Sequence, residues 1–476
     1  MTAFTPDASA ALGGPDWLVR ARASAAERLD GLKLPAEAEE IWRYSGIDGF
    51  DLGPFAPAPP APGGDGVDQA RAFADHLGPR CALVVTRQGF VTDFELEPGC
   101  PPGLVSVAGT GPSAIQGPGS ASGEGELVPT GDDAFGVLHD AFVPQIVQIA
   151  VPERVVVGAP IVVVHLVDPS PAHDGAAPAC FPHVLVRLGR GAEAGIVEVS
   201  VEDRAGQLDG GDADAGTAEG RPALVLPVTE LAVSDDARLA YANLQLLGHG
   251  VTHIGLQRSH VGAHGSLRSF TVGLGGRYSR VRTDSELLGE GSSGALLAAY
   301  LGIGDQVHDF RTLQDHHAAR TDSELLFTGA VADRARSVYS GLIRIRRGSR
   351  RADARQTNHN LVLSEGAHAD SVPNLDIDEN DVRCSHASTV GPIDEDQRYY
   401  LESRGVEPAT AERLIVLGFF ADLAARSPFP EVGHWVAEAV GRRLSGRLPA
   451  EQSDGPALAG APAAGTSATS GAAGRG

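Results

Sequence analysis

Apolar residues recur along this chain in two rhythms. Between residues 141 and 393 they come as short runs or alternations rich in Val and Ile, broken by turn residues about every ten positions. QIVQIAVPERVVVGAPIVVVHLV, HVLVRLGRGAEAGIVEVSVE and LVLPVTELAVSDDARLAYANLQLLG are examples, and VYSGLIRIRRG is another further on. No long helical pattern intervenes, which excludes a doubly wound α/β domain. The pattern leaves a barrel, a sandwich or a parallel β-helix. Rungs that carry Thr, Asn and Ser beside Val and Ile suit the β-helix, which stacks strands in rows and needs caps.

The ends follow a helical rhythm. DWLVRARASAAERLDGL places Trp17, Leu18, Ala21 and Leu29 at helix-compatible spacings. CALVVTRQGFV at 81–91 predicts a hairpin. After Ile393 three helical stretches are expected, with Asp394 as N-cap of the first and Gly405 as its stop. In the second, Leu414, Leu417 and Ala421 mark an inward stripe, with Phe420 beside it. The division predicted is a mixed, partly helical N-terminal domain over 1–140, a mainly β core over 141–393, a helical domain over 394–445 and a disordered tail over 446–476. The Pro/Gly stretch 54–66 reads as a linker and the Gly/Ser stretch 107–126 as a loop. The Asp/Gly-rich stretch 203–222 reads as a disordered insertion.

Composition narrows the function. The net charge of −23 argues against nucleic-acid binding, which needs a basic surface. Arg334, Arg336, Arg344, Arg346, Arg347, Arg350, Arg351 and Arg355 crowd one stretch, and the expected role is a solvated strand-and-turn edge. No apolar run approaches the roughly 20 residues of a membrane span, and the first residues lack a secretory signal. The expectation is a cytoplasmic protein. Lys33 is the only lysine, so no Walker A motif exists here and a Schiff-base role is excluded as well. Any ATPase must come from a partner. The four cysteines, Cys81, Cys100, Cys180 and Cys384, form no CxxC pair, and neither a clustered metal site nor a disulfide framework is expected.

Four groups of residues carry candidate chemistry. GEGSSG at 289–294 matches a dinucleotide fingerprint in form only, lacks a βαβ setting, and reads as a turn between rungs. His249 and His253 are four apart, with His260 and His264 nearby, but Gly250, Val251 and Thr252 disfavour the helix that zinc binding would need. The stretch 307–327 is dense in His308, Asp309, Arg311, Asp315, His316 and His317, which fits either acid–base work or structural ion pairs. In CSHASTVG, Cys384 and His386 share one face of a strand, roughly 6–7 Å apart at Cα. That spacing is awkward for a nucleophile–base contact and easier for sharing a metal, and two ligands do not complete a site. Two core residues sharing a face is the third reading.

The C-terminal third adds a resemblance. VHDFRT, then SELLFTGAVADRARSVYSGLIRI, then QTNHNLVLSEGAHADSVPNLDIDENDVRCSHASTVGPIDEDQRYYLESRGV resembles the SufB/SufD family of iron–sulfur cluster assembly scaffolds, as does EEIWRYSGI near the start. The resemblance is continuous over 300–435, looser over 141–300, and confined to that short signature before. The SufB branch carries a cysteine at about Asn358, and its absence here makes the chain similar to the SufD branch. Family members often have Lys-Gly where this chain has Thr328-Gly329.

The resemblance implies a right-handed parallel β-helix and a non-catalytic scaffold. It implies a heterodimer with a SufB-like scaffold through the β-helix, and two copies of a SufC-like ABC ATPase, docked on helices that include Leu414, Leu417, Phe420 and Ala421. It implies a transient iron–sulfur cluster shared with the partner, with His386 as candidate ligand completed by a SufB cysteine and Cys384 as an auxiliary. Reduced flavin is a cofactor associated with such complexes, although no flavin site is placed in this sequence, and a homodimer is an expectation for the isolated chain. The competing class is a β-helix enzyme acting on a polysaccharide with acid–base residues within 308–317.

Overall fold

A computed structural model describes residues 3–60, 66–109, 133–172, 175–203 and 220–447. Helices α1 (Pro6–Ala10) and α2 (Asp16–Ala26) come first. Strand β1 (Phe55–Pro57), helix α3 (Gly66–His76), strands β2 (Ala82–Arg87), β3 (Phe90–Leu96) and β4 (Val105–Gly109) and helix α4 (Ala134–Phe142) follow. Next come β5 (Gln145–Val151), β6 (Ile161–Val167), β7 (Ala177–Cys180), β8 (His183–Leu188), β9 (Glu193–Glu202), β10 (Ala223–Val225), β11 (Val228–Val233), β12 (Arg238–Leu246) and β13 (Val251–Val261). The run continues with β14 (Ser266–Gly273), β15 (Tyr278–Leu287), β16 (Ser293–Gly302), β17 (Val307–His316), β18 (Asp322–Val331), β19 (Arg336–Ile345), β20 (Asp353–Val362), β21 (His368–Ile377) and β22 (Arg383–Gly391). Helices α5 (Glu395–Ser403), α6 (Pro408–Ala425) and α7 (Pro430–Arg447) end the described chain.

The protein is mainly β, and its centre is a parallel β-solenoid. One sheet runs β21-β19-β17-β15-β13-β11-β8-β5-β4 and the other β22-β20-β18-β16-β14-β12-β9-β6-β2-β3. From β11 to β22 successive strands alternate between the two sheets, so along this stretch neighbours within a sheet are two places apart in the chain. β17 pairs in register with β15, from Tyr278↔Val307 to Leu287↔His316, and with β19, from Val307↔Arg336 to His316↔Ile345. The hairpin expected at 81–91 is β2–β3, antiparallel.

One corner of the coil repeats a backbone device. The amides of Asp236, His264, Gly291, Arg320 and Arg351 donate to the carbonyls of Ala263, Glu290, Ala319, Arg350 and Asp381 on the next rung. All five residues have positive φ. A left-handed conformation costs a non-glycine residue roughly 1–2 kcal/mol, offset here by a continuous hydrogen-bond ladder. GEGSSG is part of this corner, the turn between β15 and β16, as its sequence suggests.

The apolar runs reflect double burial. Val162, Val164, Val197, Val199, Leu244 and Phe270, in strands of the second sheet, pack under α3, α6 and α7, where Phe73 meets Trp435 edge-on at 5.5 Å. Between the sheets, Val163, Ile196, Val186, Leu231 and Leu239 fill the coil. Nearer β22 this filling becomes aromatic and polar, and Tyr300 lies where a side chain at Gly329 would point.

Two expectations are corrected. Cys81 and Cys100 form a disulfide, because the β2–β3 hairpin returns the chain to its start, with Glu97 N–H donating to the Cys81 carbonyl at 2.9 Å. The inward stripe of α6 is Ala411, Val416, Phe420 and Leu423. Leu414 and Ala421 face outward, because the helix packs on α7 and the second sheet along a stripe rotated from the one its leucines suggest. Asp394 caps α5 as expected, accepting from Asp396 and Gln397 N–H, and Gly405 follows it with φ 86°. Most of the insertion, of the Gly/Ser loop and of the C-terminal tail, with part of the Pro/Gly linker, lies outside the described residues.

Gly329→Ala is expected to cost about 1–3 kcal/mol by overpacking against Tyr300, read as a lower urea midpoint with an unchanged slope. Burial pushes His308 down to about 3, and His253 and His316 each down to about 4. The unfolded chain takes up these protons near pH 6.5 while the fold does not. Stability is therefore complete above about pH 6.5 and falls as pH drops toward 4. His308→Leu is expected to flatten that fall by about 1.4 kcal/mol per pH unit, measured by urea unfolding between pH 6 and 4.

Candidate functional site at the last rung

β22 is the end strand of its sheet and pairs only with β20, matching Ala354↔Cys384, Gln356↔His386 and Asn358↔Ser388. Ala354, Gln356, Asn358 and Asn360 point into the coil and are buried. In-register parallel strands keep matched side chains on one side. Cys384, His386 and Ser388 therefore continue the inward columns, and among the described residues no further rung covers them. Cys384 is half-buried against Ile343, Ile345, Ala352 and Ala354, and His386 is exposed.

The thiol of Cys384 is raised above its usual range, first by burial and then by the nearby Asp353 carboxylate. Metal binding needs the thiolate, so the apolar seat holds Cys384 back as a donor while His386 is open. Among the described residues no group of three or more His, Cys, Asp or Glu is placed to hold a metal ion. The Cys384/His386 pair offers two donor side chains, fewer than a complete metal site needs.

The rung behind is closed. Tyr300 O–H donates to Asn360 Oδ1 at 2.6 Å, Asn358 donates to the Tyr300 hydroxyl at 3.1 Å, and Asn360 donates to Asn358 Oδ1 at 2.7 Å. Asn358 is thus a structural amide. Around the open end, Leu375, Ile377, Val390, Tyr399 and Tyr400 are exposed, and α5 buries no residue. On α6, Leu414 and Ala421 are exposed, Leu417 is half-buried, and Phe420 is in the core.

The other candidates resolve into structure. Asp309, fully buried, pairs with Arg280 and with Arg311 at 2.6 Å. These guanidinium groups also donate to the carbonyls of Ile41 at 2.8 Å and Arg43 at 2.6 Å, and Arg280 lies 3.7 Å from the Trp42 ring centre. The EEIWRYSGI segment is thereby clamped on the solenoid. His316 bonds Thr321 and Ser323, and Asp315 pairs with Arg346. His253 is buried in the coil, whereas His249 meets Asp305 at the surface, so the two share no metal. In the arginine stretch, Arg336, Arg344, Arg351 and Arg355 pair with Asp370, Asp376, Asp381 and Asp322 on neighbouring rungs. Sequence reasoning missed a buried group linking His139, His183 and Glu230. Those residues are separated along the chain, and no spacing signals them.

The family model for the SUF system FeS cluster assembly SufBD core domain matches residues 172–419, just over half of the chain. An iron–sulfur cluster assembly SufBD family protein of Mycobacterium tuberculosis is 34% identical over 223 residues, covering 45% of this chain and 56% of its own length. The iron–sulfur cluster assembly protein SufD of Bacillus subtilis is 29% identical over 310 residues, 64% of this chain and 66% of that protein. SufD of Escherichia coli is 34% identical over 173 residues, 36% of this chain and 41% of that protein. The chain spans about half the length of the curated relatives it matches.

Asp309→Asn is expected to cost about 3–5 kcal/mol, because it leaves two buried guanidinium groups unbalanced. Urea unfolding measures this, and a change below 1 kcal/mol would mean that the pairing is not structural.

Proposed function

The chain belongs to the SufB/SufD family of iron–sulfur cluster assembly proteins, in its SufD branch, and from that premise we propose that it is the non-ATPase scaffold subunit of a SUF assembly complex. It pairs with a SufB-like scaffold through the open end of the solenoid and docks a SufC-like ATPase on α6. Within that complex, in the cytoplasm, it offers His386 to a nascent cluster, with Cys384 as an auxiliary donor. The observation that carries this reading is the last rung, where an exposed His386 and a half-buried Cys384 share one strand face and leave a donor set incomplete. Free sheet edges at β21 and β22 and the exposed Leu375, Ile377 and Val390 beside them support a partner at that end.

The cluster is cargo here, built between chains and passed on. An exposed imidazole suits this task, since it can bind iron without the deprotonation a thiol needs. The exposed Leu414 and Ala421 support a protein contact on α6, while Phe420 holds the helix to the solenoid. Reduced flavin belongs to the proposal only as a cofactor of the assembled complex. The division into domains at 140, 393 and 445 is part of the same proposal. The enzyme alternative is disfavoured because Asp309 and His316 are buried and committed to protein partners.

Anaerobic co-expression with the SufB-like and SufC-like proteins of the same source tests the reading. The wild-type chain is expected in a three-component complex carrying iron and sulfide. His386→Ala is expected to form the same complex with cluster content lower by about tenfold or more. A mutant complex that keeps its cluster would reduce His386 to a bystander, and failure to form any complex would sink the scaffold role.

A further inference from the structure

Helix α4 meets the solenoid through two buried histidines that lead to a half-buried glutamate. His139 on α4 is buried, and its Nδ1 lies 2.7 Å from the Leu226 carbonyl oxygen. Its Nε2 lies 3.0 Å from Nδ1 of His183, the first residue of β8. His183 is buried too, and its Nε2 faces Glu230 Oε1 on β11 at 3.4 Å.

These contacts fix a proton count. A carbonyl oxygen only accepts, so His139 Nδ1 carries hydrogen. The nitrogen–nitrogen contact needs one hydrogen between the rings. His183 Nε2 then faces a carboxylate, and two lone pairs would oppose each other unless a third hydrogen lies there. Two neutral imidazoles supply only two. We propose that His139, His183 and Glu230 share a third proton, which makes the group neutral overall and latches α4 to the solenoid in a pH-dependent way.

Net neutrality is what burial favours. Burial alone would raise the Glu230 carboxyl, but hydrogen bonding and charge from His183, then Arg258 and Arg187, outweigh it and hold the carboxyl below its usual range. A hydrogen between His183 Nε2 and Glu230 Oε1 makes His183 a donor at both ring nitrogens. His139 is held well below the usual imidazole range, by burial first and by His183 second. Arg187 and Arg258 flank Glu230 on β8 and β13, and Asp140 is the neighbouring buried acid on α4. The latch holds a helix whose Phe135, Leu138 and Phe142 share a core with Phe4, Trp42 and Phe55. Loss of the third proton leaves two acceptors in contact and loosens this whole N-terminal cluster.

Nitrogen-15 NMR of the imidazoles in the full-length chain at pH 7.5 tests the count, with His139→Gln and His183→Gln for assignment. Both ring nitrogens of His183 are expected to be protonated in the wild type. Glu230→Gln keeps the shape and lets an amide N–H donate to His183 Nε2, so His183 should become neutral while the fold persists. Hydrogen-exchange protection of α4 in the wild type should then fall at least tenfold between pH 7 and 9, with no such fall in Glu230→Gln. A neutral His183 in the wild type would overturn the proposal. So would loss of the proton with no change in α4 protection.

Discussion

In-register stacking of parallel strands is the constraint on which the rest of this molecule depends. Once Tyr278 lies opposite Val307 and Val307 opposite Arg336, every side chain has its neighbours set by the rungs before and after. Gly329 is bare because Tyr300, one rung back, fills the space its side chain would take. Asp236, His264, Arg320 and Arg351 accept left-handed backbone because each corner must hand its amide to the next. Local preferences of single residues yield to the column they stand in.

A stack of this kind has no internal reason to stop, so its ends need separate solutions. One end turns antiparallel, through β3 on one sheet and β4 on the other. Among the described residues, the end with β21 and β22 is left uncovered, with apolar side chains and backbone edges in the open. Free edges are a liability for a solitary protein and an invitation to a specific partner. Cys384 and His386 stand on that last rung and nowhere else. One rung earlier the same columns hold Ala354 and Gln356, both buried.

Strand texture, the end helices, the Asp394 cap and the turn at GEGSSG were legible because each rests on local chemistry. Cys384 and His386 could be placed on one face of their strand, with Ser385 on the other, from strand geometry alone. What stayed hidden needed distance along the chain to close. The Cys81–Cys100 disulfide depends on a hairpin return. The stripe of α6 depends on how α7 lies beside it, so leucine spacing pointed to the wrong face. Asp309 read more readily as a structural ion pair than as an acid–base group, and Arg280, Arg311 and the 41–43 backbone stand around it in that role. The role proposed for His386 rests on the sequence resemblance, because no spacing in the chain points to it.

The arrangement also bears on how a partner's work would reach the last rung. The strand fixes the spacing of Cys384 and His386, and the columns behind them are packed and hydrogen-bonded. A rigid coil cannot reshape such a pair, but it can be displaced as a body. Helix α6 lies over β16 and β18, and Arg426 at its end bonds Glu324 of β18. Arg443 on α7 bonds the Leu274 carbonyl, beside β14. A load placed on the outer side of α6 therefore enters the same sheet that ends in β22, two strands beyond β18. In the proposed complex this chain would act as a lever, stiff between the outer side of α6 and the rung that carries Cys384 and His386.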